Sequence, residues 1–311
     1  MNISAVYGWG ACALGHCLRR GLLAVALLPG VVSATDVEPR LYSNVPVGVN
    51  FVQLSYAHSK GDVSFDNSVP VEDVEGEVDQ VILSYSRGID VFGRSGLLTV
   101  AVPWGEAGLK GLYLGEPASG RRNGVGDPRF RLSVNLWGAP ALKPQEFRTY
   151  QQETIVGMTL TVAPPLGSYQ PERIINIGTN RWSVEGQVGV SHKRGPWTVE
   201  SAAGVLWTSK NDELRGTNTL EQDSIALFRA TLLYNLTPTA WFGTGLAYAY
   251  GGETTLNGFE RDDRLANWRF GLAFSFVPAR NHRIQLRASE GVASRIGQDF
   301  RTYGIGYTLT F

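Results

Sequence analysis

Cysteine is nearly missing from this 311-residue chain, and its two copies both lie near the start. Residues 1–34 have the layout of a secretory signal peptide: Arg19-Arg20 precedes a short apolar run, and Val32-Ser33-Ala34 supplies the small residues of a cleavage site. Cys12 and Cys17 fall inside this segment. We therefore expect the processed chain to contain no cysteine, which excludes disulfides and thiolate chemistry.

Long apolar runs and an excess of one charge are also missing. The apolar run within residues 1–34 spans roughly a dozen residues, fewer than the ~20 that cross a bilayer as a helix. No stretch after Ala34 approaches that length. The chain has 28 basic and 28 acidic residues, so its charge does not suggest nucleic acid as a partner.

Aromatic residues and glycine are abundant instead. The chain contains 8 Trp, 12 Tyr, 13 Phe and 37 Gly. An exported chain with this composition, and without apolar helices, fits an outer-membrane β-barrel. It also fits a secreted β-sandwich, so the periodicity has to decide between the two.

Apolar and polar residues alternate along the chain from about residue 49 to its end. In the segment 303–311 every odd position is aromatic or aliphatic, and every even one is Gly or Thr. Such alternation places the apolar side chains on one face of a strand. Twelve segments show it, and only 240–250 leaves the facing ambiguous because of its small residues. The predicted strands are 49–57, 80–86, 98–104, 129–136, 156–162, 184–190, 197–207, 228–235, 240–250, 266–276, 280–290 and 303–311.

Connections of two lengths separate these segments. Tight ones lie at 87–94, 193–196, 236–239 and 277–281, and long polar ones at 59–77, 105–126, 163–181, 209–222, 251–263 and 291–299. The connection 138–152 is longer than this scheme expects, and part of it is open to being extended strand. Short turns at one end and long loops at the other are typical of outer-membrane barrels, in which the short turns are periplasmic.

These patterns predict an all-β protein, a transmembrane antiparallel up-and-down barrel of about 12 strands at residues 49–311. Residues 35–48 are then a periplasmic N-terminal segment. Aromatic residues near strand ends favour the barrel over a sandwich, because a membrane girdle places them there. Phe311, an aromatic on the apolar face of the last strand, is expected to be read by the barrel-assembly machinery. The girdle candidates are Trp104, Trp197, Trp207, Tyr250, Trp268, Tyr303 and Tyr307.

Five loop motifs follow one another along the chain. They are Gly124-Val125-Gly126-Asp127, Pro164-Pro165-Leu166-Gly167, Asn176-Ile177-Gly178-Thr179, Gly251-Gly252-Glu253-Thr254 and Asn267-Trp268-Arg269. With these motifs the chain resembles the outer-membrane family named for the MetA pathway of phenol degradation. The resemblance implies a barrel for uptake of small aromatic or hydrophobic compounds, and it supplies no catalytic residue.

Charged residues on the polar faces of the predicted strands are the candidate functional residues. Six arginines against two glutamates suggest an electropositive lumen that favours anions such as aromatic carboxylates. The alternative is a set of salt bridges that rigidify a closed lumen, and a barrel of this size allows both. The lumen candidates are Arg129, Arg131, Glu185, Glu200, Arg229, Arg269, Arg283 and Arg287.

The function predicted from these features is passive uptake of small solutes by a channel in the bacterial outer membrane. The alternative is a structural or adhesive barrel with a closed lumen and partner-binding extracellular loops. An enzyme is disfavoured, because the spacing of His58, His192 and His282 suggests no catalytic group within hydrogen-bond reach. Expected partners are outer-membrane lipid and lipopolysaccharide, the assembly machinery and the solute, with no nucleic acid, cofactor or metal.

Overall fold

The computed structural model describes residues 38–64 and 71–311. The predicted signal peptide therefore lies outside the described residues. The strands are β1 (Asn50–Ser64), β2 (Val71–Val91), β3 (Arg94–Tyr113), β4 (Glu116–Val125), β5 (Arg129–Trp137), β6 (Thr154–Ala163), β7 (Ser183–Arg194), β8 (Trp197–Thr208), β9 (Asn211–Leu214), β10 (Asn218–Gln222), β11 (Ile225–Thr237), β12 (Ala240–Gly251), β13 (Thr254–Leu256), β14 (Phe259–Glu260), β15 (Leu265–Ala279), β16 (His282–Ala293) and β17 (Gly297–Thr310).

Twelve antiparallel strands close into a barrel, as predicted. They follow one another around the ring in chain order, and the pairing of β1 with β17 closes it. β4 and β5 act as one interrupted strand, since both pair with β3 on either side of a break at 126–128. The short strands β9, β10, β13 and β14 form a separate sheet within the long connections.

Helical structure in the described part of the chain is limited to a 3-10 turn at Glu146–Thr149. Among these residues no helix is long and apolar enough to cross a membrane. The 3-10 turn lies in the connection 138–152, and Pro140 of the same connection forms an isolated antiparallel bridge with Arg94, so only a short part of this connection is extended and paired. The turn between β2 and β3 is tight: Phe92 and Gly93 have φ of 51° and 78°, as the twist of a hairpin favours.

Two of the predicted long loops are largely strand. β2 has 21 residues and β3 has 20, and they pair from the turn to Val71 and Tyr113. The alternation continues in this part, but its outward positions are charged instead of apolar; Glu75 of β2, for example, lies 3.4 Å from Lys110 of β3. A strand that leaves the membrane no longer needs apolar side chains, so hydrophobic periodicity does not detect it.

The outward face of the barrel is apolar and the inward face is polar or small. On β15 the outward Phe270 and Leu272 are 38% and 39% exposed, whereas the inward Ser275 is fully buried. On β12 the same rule resolves the ambiguous strand, because Leu246 points outward and Ala247 inward. The predicted girdle residues all lie among the exposed aromatics. An apolar belt around a closed sheet is the arrangement that hydrocarbon requires.

Substitution of Leu272 by Asp should impair assembly, because it puts a carboxylate on the lipid-facing belt at a cost on the order of 2 kcal/mol. Ser275→Asp on the same strand should be tolerated, because Ser275 Oγ already accepts a hydrogen bond from Arg283 at 3.3 Å. The folded fraction after refolding into lipid vesicles, measured by heat-modifiable gel mobility, distinguishes them. Equal behaviour of the two variants would contradict the assigned facing.

Candidate functional site: the barrel lumen

The chain that precedes β1 lies inside the barrel. Residues 38–48, called the N-terminal segment below, contact inward-facing side chains at the end of the barrel with the short turns. The Glu38 carboxylate accepts two hydrogen bonds from the Arg131 guanidinium, both at 3.1 Å. Two residues on, the Arg40 backbone N–H donates to Glu200 at 2.7 Å, and its guanidinium lies 5.2 Å from the Trp241 ring.

Tyr42 anchors the middle of the N-terminal segment. It is 1% exposed, and the Gln187 amide donates to its hydroxyl at 3.2 Å. Its ring occupies a recess that two glycines leave open, because a Cβ atom at Gly157 or Gly189 would overlap the ring. Ile155 packs beside it. The wall is therefore shaped to receive this side chain.

A third set of contacts fixes the segment near the turns. The Val45 backbone N–H donates to Ser95 Oγ at 3.1 Å, and Ser95 Oγ donates back to the Val45 carbonyl at 3.0 Å. Gly48 N–H donates to the Gly88 carbonyl at 2.8 Å. The N-terminal segment is thus held at three levels, from mid-lumen to the rim.

The eight lumen candidates all lie on inward faces, and several are paired. Arg131 binds Glu38, and Arg229 donates to Glu185 at 3.2 Å and to the side-chain amide oxygen of Gln187. Glu200 receives hydrogen bonds from the hydroxyls of Ser191 at 3.0 Å and Thr231 at 3.1 Å. These contacts rigidify one side of the lumen, as the salt-bridge alternative expects.

The remaining candidates differ in their contacts. Arg269, 6% exposed, donates to Ser289 at 3.1 Å and to Thr302 at 2.8 Å. Among the described residues, Arg283 donates a hydrogen bond to the Ser275 hydroxyl alone, at 3.3 Å. Arg129 and Arg287 form no hydrogen bond or ion pair with any residue in the described ranges. These two arginines therefore have no direct partner among the described residues, although both lie close enough to Glu38 for an electrostatic interaction.

Sequence reasoning did not place Glu38, Arg40 and Tyr42 in the lumen. These residues precede the first alternating segment, so periodicity carries no information about them. The signal available was chemical: a charged and aromatic run, Glu38-Pro39-Arg40-Leu41-Tyr42, stands directly before β1. Inward glycines on neighbouring strands were a second signal, since they leave space that another side chain fills.

The end of the lumen near the long loops is apolar. The connection between β6 and β7 packs Ile175 and Ile177 against Ala107, which faces inward from β3. Beside it, the fully buried Phe300 packs against Val63. These side chains are buried, so they fix the connection against the wall at this end of the lumen.

Three of the five loop motifs noted in the sequence meet at Asp127. Its carboxylate accepts hydrogen bonds from the Gly167 N–H at 2.8 Å, the Thr179 N–H at 2.8 Å and the Thr179 hydroxyl at 2.7 Å. Burial lowers the pKa of nearby Arg181 to about 10, while Asp127 opposes the shift. The motifs therefore fold the connection over the barrel end and hold it there.

The wall opposite the N-terminal segment is lined by small residues. A narrow cavity that is partly open to solvent lies between Pro39 and this wall. The wall belongs to β12, β15, β16, β17 and β1. Its lining side chains and backbone are Ala57, Gly243, Thr244, Gly271, Leu272, Ala273, Arg287, Ala288, Ser289, Thr302 and Gly304.

Docking of the N-terminal segment should depend on pH through Glu38. Burial raises the pKa of this carboxyl, but the Arg131 and Arg229 guanidiniums outweigh burial and lower the pKa from 4.5 to about 2. Because the docked pKa is the lower one, the stabilisation is complete above pH 4.5 and is lost as the pH falls toward 2. A nitroxide at Ser43→Cys should therefore become mobile in that range, as electron paramagnetic resonance measures.

Glu38→Gln is the matched variant, because it keeps the shape and removes the charge. Its label should be more mobile than the wild type at pH 7 and should change little between pH 7 and 3. The same pH profile in both proteins would show that Glu38 does not hold the segment.

Comparisons with known proteins agree with this architecture. Among solved structures, the chain is similar to the COG4313 outer membrane channel from Pseudomonas putida F1, with 23% identity, a TM-score of 0.76 and coverage of 89% of this chain and 100% of that one. It is also similar to the transport unit of the autotransporter AIDA-I from Escherichia coli, with 8% identity, a TM-score of 0.53 and coverage of 90% and 96%. At these identities the likeness concerns the fold.

No curated protein matches the sequence significantly. A family model does, from residue 57 in β1 to residue 307 in β17. Most of the described barrel lies within that match. The chain therefore belongs to the family described as "Putative MetA-pathway of phenol degradation".

Proposed function

We propose that this barrel is a passive channel of the bacterial outer membrane for small apolar or aromatic solutes. One observation carries the proposal: on β12, β15 and β17 most inward residues are too small to fill the lumen. Gly243, Ala247, Gly271, Ala273 and Gly304 represent this wall. A barrel that served only as a scaffold would fill its interior with its own side chains.

The two ends of the lumen differ in chemistry, and their order fits uptake from the extracellular side. The end with the long loops, which is extracellular in outer-membrane barrels, is apolar around Phe300 and Ile175. Beyond it the solute meets charged residues and then the N-terminal segment. This order, apolar and then charged, suits a small solute that is apolar over most of its surface. The structural likeness to the COG4313 outer membrane channel is consistent with that use.

The proposal includes no catalytic role. His58 is 3.0 Å from Asp79, His192 is 2.8 Å from Thr154 Oγ1, and His282 is 2.7 Å from the Tyr307 hydroxyl. All three histidines lie at outward positions of their strands. They are therefore separated from the lumen by the sheet itself, and a solute in the lumen does not reach them.

Two further partners belong to the proposal. The outward face beyond the girdle carries Lys60, Lys110 and Arg121 among carboxylates, which suits contact with lipopolysaccharide phosphates. Phe311 is 61% exposed on the outward face, next to the start of β1. This exposure makes it available to the assembly machinery before the barrel enters the membrane.

The test removes the docking of Tyr42 without touching the small-residue wall. Gly157→Ala places a methyl group where the Tyr42 ring lies, so the N-terminal segment should leave its recess. Gly186→Ala is the matched control, since a Cβ atom there meets nothing within 4 Å. Planar-bilayer conductance and vesicle swelling should rise several-fold for Gly157→Ala and stay at the wild-type level for Gly186→Ala.

The alternative function, a structural or adhesive barrel with a closed lumen, gives a different result. Well-folded wild-type protein and Gly157→Ala would then both show no conductance and no swelling with any small solute. That outcome would remove the channel proposal.

A further inference from the structure

The cavity beside Pro39 combines two kinds of surface. Ala57, Gly271 and Gly304, called the floor below, are lining residues without polar side-chain atoms. The lining also includes Arg287, whose Nε lies 3.9 Å from the place of a Cβ atom on Gly304, and Ser289 and Thr302. An apolar floor with a cation beside it matches a ligand that is itself apolar with an anionic end.

Arg287 stands apart from the other inward arginines. Arg131, Arg229 and Arg269 each donate to groups of the protein, whereas Arg287 has no hydrogen bond or ion pair with the described residues. Its cross-strand neighbours are Ala273 on β15 and Gly304 on β17, which are too small to cover the guanidinium.

Glu38, the carboxylate that the N-terminal segment places in the lumen, does not pair directly with the Arg287 guanidinium. Both oxygens of Glu38 accept hydrogen bonds from Arg131, on the opposite wall. Glu185 binds Arg229, and Glu200 is held by hydroxyls and by the Arg40 backbone. The mid-lumen acids that the structure describes are therefore held by other partners, and the Arg287 guanidinium has donors available for a bound anion.

We propose that the cavity binds a monocarboxylate with a slim apolar body, with its carboxylate at Arg287 and its body along the floor of Ala57, Gly271 and Gly304. The Ser289 and Thr302 hydroxyls border the carboxylate. Arg269 is bonded to both hydroxyls, so it positions them and adds positive charge behind them. The inference rests on the proposed channel and names the chemical class of its solute.

The experiment measures binding, so that it is independent of conduction. Protein refolded into lipid nanodiscs is titrated calorimetrically with benzoate, and with benzyl alcohol as the neutral probe of similar shape. Arg287→Gln should weaken benzoate binding by about 10-fold or more, as loss of a hydrogen bond to a charged group predicts. Benzyl alcohol binding should change by less than about twofold, since it makes no ion pair.

Two further variants separate the site from general effects. Arg283→Gln removes a cation from the same face of β16 outside the cavity lining, so it should weaken benzoate binding far less than Arg287→Gln, by about twofold at most. Ala57→Leu fills the floor and should abolish binding of both probes, whereas Ala203→Leu on the outward face of β8 should not. Heat-modifiable mobility establishes that each variant is folded.

No benzoate binding by the wild type, or equal losses in Arg287→Gln and Arg283→Gln, would overturn the inference. Conductance by Gly157→Ala without Arg287-dependent binding would overturn it while leaving the channel proposal in place. Arg287-dependent binding in a protein that never conducts would support the site and remove the channel.

Discussion

Hydrocarbon offers no partner for a backbone N–H or carbonyl group, and the rest of this structure depends on that constraint. A sheet that crosses a bilayer has to close, and β1 pairs with β17 to do so. Closure gives each strand one face toward lipid and one toward the interior. With twelve strands the interior is wider than side chains of glycine and alanine can fill, so the chain must either fill it with something else or leave it wet.

This protein does both, on opposite walls. One wall holds the N-terminal segment through Glu38, Arg40 and Tyr42, in a recess that glycines provide. The other wall is small and smooth and keeps a cavity next to Pro39. The Glu38 carboxylate binds Arg131 on the segment's wall, and Arg287 lines the cavity. The lumen is therefore narrowed by the N-terminal segment but is not completely filled by side chains.

The fold was predictable from the sequence wherever apolar and polar residues alternate, because that alternation shows which side chains face lipid. β15 and β17 show it clearly, and the strand count and facing follow from such segments. Where β2 and β3 extend beyond the membrane, their outward positions are charged, so hydrophobic periodicity predicts loops there instead of strands. The inward orientation of the lumen arginines was predictable from the same alternation that predicts the apolar, lipid-facing belt.

The partners of those arginines were not predictable. Alternation says which face a residue occupies but not which strand or segment comes within hydrogen-bond distance across the lumen. Glu38 and Arg131 are 93 positions apart, and only the closed barrel brings them together. The motif around Asp127 was visible as a pattern, but its role in fixing a loop needed the positions of Gly167 and Thr179.

The alternation of lipid-facing and lumen-facing residues along a strand can be measured directly. Nitroxide labels placed one at a time from residue 266 to residue 276 report collisions with oxygen, which concentrates in lipid, and with a water-soluble nickel complex. This account predicts oxygen accessibility that peaks at every even position and falls at every odd one throughout the span. A profile without a two-residue period, or with nickel access at the even positions, would contradict the two-faced barrel.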